Sequence, residues 1–167
     1  LSMMRGAGCD CISFGIESGN QEMLKRVKKG ITLEQARRAV RYCKEAGIGA
    51  HASFMVGLPG ESPSTIKDSS VFAESLDIDY GYHLLAPFPG TTVREELSNY
   101  DITILTDDWD LYDANVPVVC TSGLTPDQMA DFVKSYEDKH RQIWDEMVAK
   151  VAGGDCTDYE YLRVAGF

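Results

Sequence analysis

The sequence has no Cys-x-x-Cys pair, no long apolar run and few basic residues, and each lack removes a class of protein. Without Cys-x-x-Cys there is no zinc-ribbon or thioredoxin-type motif. The five cysteines, at 9, 11, 43, 120 and 156, are odd in number and scattered, which argues against a secreted disulfide framework. They read as structural or incidental thiols; Cys9 and Cys11 make only a Cys-x-Cys. No stretch approaches the ~18 apolar residues that span a membrane. Lys and Arg number 16 against 26 Asp and Glu, and the net charge of −10 repels phosphate backbones, so nucleic acid is not an expected partner. His83 and His140 are isolated, and with His51 they make no metal set. No signal peptide opens the chain and its first residue is Leu1 rather than Met, so the expectation is a cytoplasmic piece of something longer.

What is present suits a soluble globular fold: 167 residues, 44% apolar and 25% charged. Residues 11–87 alternate strand and helix. Strands are predicted at Cys11–Ile16, Ala50–Val56 and Tyr82–Ala86. A helix from Leu33 to Ala46 has a capping box, Thr32 with Gln35, and Gly47 stops it. A second starts at Ser62-Pro63 and runs to Leu76. Strand starts recur roughly every 35 residues, the size of a βαβ unit, which implies parallel strands.

The alternation within the strands is informative. Ile12, Phe14 and Ile16, then Ala52, Phe54 and Val56, form an apolar face. Cys11, Ser13, Gly15 and Glu17, then His51, Ser53 and Met55, form a small or polar face. A doubly wound sheet is apolar on both faces, so this pattern points to the lumen of a barrel or half-barrel with a ligand in it. His51, at the start of its strand, reads as a core or pore-floor histidine.

Beyond Thr91 the pattern changes. Residues 92–124 read as irregular, Thr125 and Gln128 cap a long helix to about Val151, and 152–167 read as a loose tail. Met129, Phe132, Val133, Tyr136, Ile143, Met147 and Val151 form one stripe, expected to pack against the barrel.

Ligands of parallel α/β folds bind at the C-terminal strand ends. Three glycine-bearing segments lie there: Gly15–Asn20, Gly57–Glu61 and Pro87–Thr91. Glu17 reads two ways: as an acceptor for hydroxyls or an amine of a ligand, or as a helix cap or salt-bridge partner of Lys25 or Lys29. Lys28 and Lys29 can hold a carboxylate or phosphate, or line a solvated loop. Gly57-Leu58-Pro59-Gly60-Glu61 lacks the Gly-Lys-Ser/Thr ending of a Walker loop and reads as a shaped turn beside a ligand.

Several segments resemble radical S-adenosylmethionine (SAM) enzymes. They are Met4–Cys9, Ser13-Phe14-Gly15-Ile16-Glu17-Ser18-Gly19-Asn20, Leu24–Thr32, Cys43–Ile48, Phe54–Glu61 and Pro87–Thr91. The likeness covers about residues 3–92 and is similar to members that often carry a cobalamin-binding domain, such as anaerobic Mg-protoporphyrin ester cyclase and related methyltransferases. It implies an α/β fold: the C-terminal half of a partial (βα)6 TIM-like barrel with parallel strands, at residues 1–92. An irregular connection at 93–124 and a mostly helical extension would follow. It implies SAM, a four-iron, four-sulfur (4Fe-4S) cluster held by Cys-x3-Cys-x2-Cys, and possible use of cobalamin. In such enzymes one electron cleaves SAM to methionine and a 5′-deoxyadenosyl radical, for hydrogen abstraction from a small molecule or methyl transfer.

By position, the resemblance puts Glu17 at the SAM ribose, Lys29 at the SAM carboxylate, Ser53 facing SAM, and Met55 and Val56 along the adenine, and it counts Ser18 among the cofactor-binding residues. Glu17, Ser53 and Met55 also share the lumen face read from alternation. Cys-x3-Cys-x2-Cys is absent, so the cluster ligands and the N-terminal half of the barrel are expected upstream, and this piece alone is expected to be inactive. A half-barrel leaves a sheet edge unpaired, which predicts contact with the missing half or a homodimer. The rival reading is a non-catalytic scaffold. An aldolase-like barrel falls away because no predicted strand carries a lumen lysine.

Overall fold

The computed structural model describes residues 1–155. The chain forms two compact units, Leu1–Ala130 and Asp131–Phe167. The first opens with helix α1 (Ser2–Gly6), strand β1 (Cys11–Glu17), helices α2 (Gln21–Arg26) and α3 (Leu33–Glu45), strand β2 (Gly49–Val56), helix α4 (Pro63–Ser75) and strand β3 (Asp79–Leu84). The three strands form one parallel sheet in the order β1-β2-β3.

The helix ends follow the predicted chemistry. Thr32 N–H donates to Gln35 Oε1 at 2.7 Å, and Gln35 N–H returns to Thr32 Oγ1 at 3.1 Å. Ser62 caps α4 ahead of Pro63 in the first turn. The short α2 escapes sequence reading. It is capped by Asn20, whose side chain accepts from Glu22 and Met23 N–H at 3.0 Å each.

The even-numbered strand face is the core. Ala52, Phe54, Val56 and Leu84 are no more than 1% exposed and lie with Val40, Cys43, Ile66 and Phe72 of the covering helices. Phe54 meets Phe72 edge-on with centroids 6.4 Å apart. Burying Phe54 contributes about 1.5–3 kcal/mol. The odd-numbered face stays partly exposed. β3 starts at Asp79, ahead of the predicted Tyr82. Its acidic, glycine-bearing start looks like loop locally, but pairing with His51 and Ala52 of β2 makes it strand.

Residues 92–124 carry more order than their composition shows. They include helix α5 (Thr92–Glu95) and an antiparallel ribbon of β4 (Thr103–Ile104) and β5 (Val119–Cys120). Ile102, Tyr112, Val118 and Val119 make a small core of their own. Two-residue strands are too short to show alternation in sequence. Ala114 C=O accepts from Leu84 N–H at 2.9 Å, so this segment covers part of the outer edge of β3. Among the described residues no strand pairs with the outer edge of β1.

Helix α6 (Pro126–Gly153) opens with the predicted Thr125–Gln128 capping pair. Met129, its only stripe residue in the first unit, is fully buried beside Gly57 and Val119. In the second unit the Tyr136 and His140 rings lie with centroids 4.1 Å apart, tilted by 41°. Of the predicted tail, residues 156–167 lie outside the described residues.

Candidate cofactor-binding site

Ladder register sets the floor of the site. Gly15, Ser53 and Gly81 stand side by side across β1, β2 and β3 on the open face. Two of the three have no side chain, so the floor is low. One row toward the strand starts, Ser13 Oγ lies 3.3 Å from His51 Nδ1. His51 thus sits on the open face below the floor row, in keeping with its pore-floor reading. One row toward the strand ends, Met55 pairs with His83.

Glu17 overhangs this floor. Lys29 Nζ donates to Glu17 Oε1 at 2.7 Å, with a quarter of the Glu17 side chain and a third of Lys29 exposed. The Glu17 carboxylate lies where a Gly15 side chain would go: a Cβ there would fall 2.9 Å from Oε1 and 3.5 Å from Lys29 Nζ. Simple alternation does not produce this placement. The ladder has a bulge between Gly15 and Glu17, and Glu17 adopts a left-handed backbone at φ 74°. A non-glycine residue in that region is strained, and such strain concentrates at functional sites. Of the two salt-bridge partners the sequence offered, Glu17 takes Lys29; Lys25 pairs with Glu22 at 2.7 Å.

The other predicted residues divide. Ser53 and Met55 are partly exposed on the same face as the floor. Val56 is 1% exposed with its side chain in the core, and its carbonyl accepts from Leu85 N–H at 2.8 Å. Ser18 is fully buried. Its Oγ accepts from Asn20 N–H at 3.1 Å and lies 3.3 Å from Ser69 Oγ, which itself accepts from Gly19 N–H. Ser18 therefore holds the β1–α2 loop against α4.

Sequence reading passed over Glu61. It is 1% exposed, and Oε2 accepts from Gly57 N–H at 2.6 Å and Leu58 N–H at 3.2 Å, clamping the turn after β2. Its other oxygen, Oε1, is buried without a hydrogen-bond partner. Burial raises its pKa from 4.5 to about 7 against the opposing pull of the two N–H donors. A carboxylate four residues after Gly57 in a glycine turn was the available signal.

Arg26 locks the same turn from α2. Its Nη1 donates to Gly60 C=O at 3.1 Å and lies 1.8 Å from where a Gly60 Cβ would be built. Gly60 has φ 72°, so both its backbone and its neighbour require glycine.

Among the described residues no three His, Cys, Asp or Glu side chains converge to hold a metal ion. With Cys-x3-Cys-x2-Cys absent from the sequence, this chain's residues do not fit an iron–sulfur cluster.

A parallel sheet with one covered face, an open polar face and glycine-rich turns at the strand ends is the frame of a radical SAM barrel, and the family model of the Radical SAM superfamily matches residues 1–73. Over residues 1–73 the chain resembles the radical SAM superfamily, which its relatives also support. It is 34% identical over 132 residues to an uncharacterized methyltransferase of Pyrococcus horikoshii, covering 78% of this chain and 28% of that protein. It is 28% identical over 136 residues to the anaerobic magnesium-protoporphyrin IX monomethyl ester cyclase of Rubrivivax gelatinosus, covering 81% of this chain and 24% of the cyclase. Among solved structures, the radical SAM methyltransferase TsrM of Kitasatospora setae, with cobalamin and a [4Fe-4S] cluster bound, superposes with a TM-score of 0.56. Identity to it is 29%, covering 64% of this chain and 22% of TsrM. The chain thus spans about a quarter of these relatives' length.

Proposed function

We propose that this chain supplies part of the SAM-binding barrel of a larger radical SAM enzyme. The observation that carries the reading is the Glu17–Lys29 pair held over the Gly15–Ser53–Gly81 floor. A carboxylate suits the two hydroxyls of a ribose, and an ammonium suits a carboxylate. In this reading Glu17 accepts from the SAM ribose and Lys29 donates to the SAM carboxylate. Ser53 and Met55 line the bound molecule, with Met55 along the adenine. Val56 contributes backbone only, and Ser18 keeps the loop that carries Glu17 in place. A low floor matters because a flat nucleoside needs close approach to the sheet.

The cluster belongs to residues outside this chain. A cluster held there would supply SAM with one electron, drawn from an external reductant, for its cleavage; the residues here would bind, orient and shield SAM. The parent then abstracts hydrogen from, or transfers a methyl group to, a small molecule. Two of the relatives named above are methyltransferases, and TsrM carries cobalamin, which favours testing methyl transfer with cobalamin first. The unpaired outer edge of β1 is the docking edge for the N-terminal half of the barrel. In the isolated piece the same edge favours a homodimer. No helix among the described residues is long and apolar enough to cross a membrane, and the reading takes the parent to be cytoplasmic, with no nucleic-acid partner through this acidic chain.

Anaerobic reconstitution of the full-length parent with iron and sulfide tests the assignment. Iron and sulfide near four each per chain, with an electron paramagnetic resonance signal altered by SAM, support it. No bound iron in a folded parent would leave the non-catalytic scaffold instead.

A further inference from the structure

A second polar feature lies at the same end of the sheet and is not used by the pair above. The end of α2, the turn after β2 and the segment from Thr91 to Tyr100 line a cleft of about 270 Å³, with Arg26, Lys28, Pro59, Thr92 and Tyr100 among its residues. None of its lining residues is acidic, although the chain carries ten more acids than bases. Lys28 forms no ion pair or side-chain hydrogen bond among the described residues, whereas its neighbour Lys29 is engaged by Glu17. The hydroxyls of Thr92 and Tyr100 are likewise without partners among the described residues. Arg26 spends Nη1 on the carbonyls of Pro59 and Gly60, which fixes the guanidinium and leaves its other N–H donors available.

The backbone at Lys28 adds an independent observation. Lys28 follows the last turn of α2 with φ 54°, the left-handed position where helices usually end in glycine. A lysine there is strained where glycine would not be. The strained residue is one that lines the cleft, and backbone strain concentrates at functional sites.

We propose that this cleft binds an oxyanion, the phosphate or carboxylate of the substrate, through Lys28 and Arg26 with Thr92 and Tyr100 as neutral donors. Anion binding itself stands on the cleft alone; its assignment to the substrate rests on the radical SAM reading. Placed at the strand ends beside Lys29, it would anchor the charged end of a substrate whose reacting end faces the bound SAM.

The test uses the full 167-residue chain, isotopically labelled, titrated separately with inorganic phosphate and with succinate at constant ionic strength. Saturable shifts of the Lys28, Thr92 and Tyr100 amides are expected, and the anion that saturates first identifies the group. A charged hydrogen bond of 1.5–3 kcal/mol predicts that Lys28→Gln weakens binding about tenfold or more and that Lys28→Arg restores most of it. Arg26 is not the primary variant because its removal also frees the Gly60 turn. Lys67→Gln, at an exposed lysine of α4 outside the cleft, should leave phosphate binding unchanged. No saturable shift with either anion, or shifts unaltered in Lys28→Gln, overturns the proposal. SAM titration of the parent and its Glu17→Ala variant reports on the cofactor reading separately. Phosphate bound through Lys28 with SAM binding indifferent to Glu17 would sink that reading and keep the cleft.

Discussion

Lys29 Nζ and Glu17 Oε1 lie 2.7 Å apart over a glycine, although the resemblance assigns them to different parts of SAM, its carboxylate and its ribose. The pair joins the end of β1 to the turn beyond α2. Being partly exposed, it adds no more than about 1 kcal/mol to stability. Its value is positional, and removing it should harm binding far more than folding. We expect Glu17→Ala and Lys29→Ala in the full-length parent each to weaken SAM binding about tenfold or more, as for lost charge-assisted hydrogen bonds. Equilibrium dialysis against labelled SAM measures this, with thermal unfolding nearly unchanged.

Gly15→Ala tests the floor. The added Cβ would fall 2.9 Å from Glu17 Oε1, the free end of a flexible side chain, so the carboxylate moves and the fold survives. Weaker SAM binding with a melting temperature close to wild type is the expected outcome. A variant that binds SAM normally would show that the carboxylate position is not needed.

Gly60→Ala should behave in the opposite way. Its Cβ would overlap Arg26 Nη1, and its φ of 72° strains any side chain. We expect about 1–2 kcal/mol of backbone strain, plus the lost Arg26 contacts, to appear as lower stability in denaturant.

Glu61 predicts a pH dependence. Its folded pKa, about 7, lies above the unfolded value of 4.5, so the native state holds a proton that the unfolded state has lost within that window. The stabilisation from the protonated group is complete below pH 4.5 and is lost as pH rises through about 7. At about 1.4 kcal/mol per pH unit this amounts to up to about 3 kcal/mol. Glu61→Gln should flatten the stability profile across that window, read by urea unfolding at fixed temperature.

Much of the fold was legible because local chemistry and tertiary structure agree. Thr32 with Gln35, Ser62 with Pro63, and the alternation of Phe14 and Phe54 against Ser13 and Ser53 each mark an element and its buried face. The parity that put Glu17 on the open face reached the right side by a different geometry, since a bulge and a left-handed residue return the carboxylate there. Ser18 was placed with Glu17 by motif, yet its burial against Ser69 is a contact between residues 51 apart that no local pattern reveals. Glu61 and Arg26 were missed for the same reason: their importance lies in which backbone groups they meet. The ribbon of β4 and β5 was missed because pairs of residues carry no period.

The central claim is that Glu17 acts on SAM in a radical enzyme, and one assay addresses it most directly. The reconstituted full-length parent is mixed with SAM and a strong reductant without oxygen, and 5′-deoxyadenosine is quantified beside a Glu17→Ala variant of equal iron content. The account predicts nucleoside from the wild type and a severalfold or greater loss in the variant. Equal nucleoside from both would contradict the role given to Glu17, and none from an iron-loaded wild type would contradict the proposed chemistry.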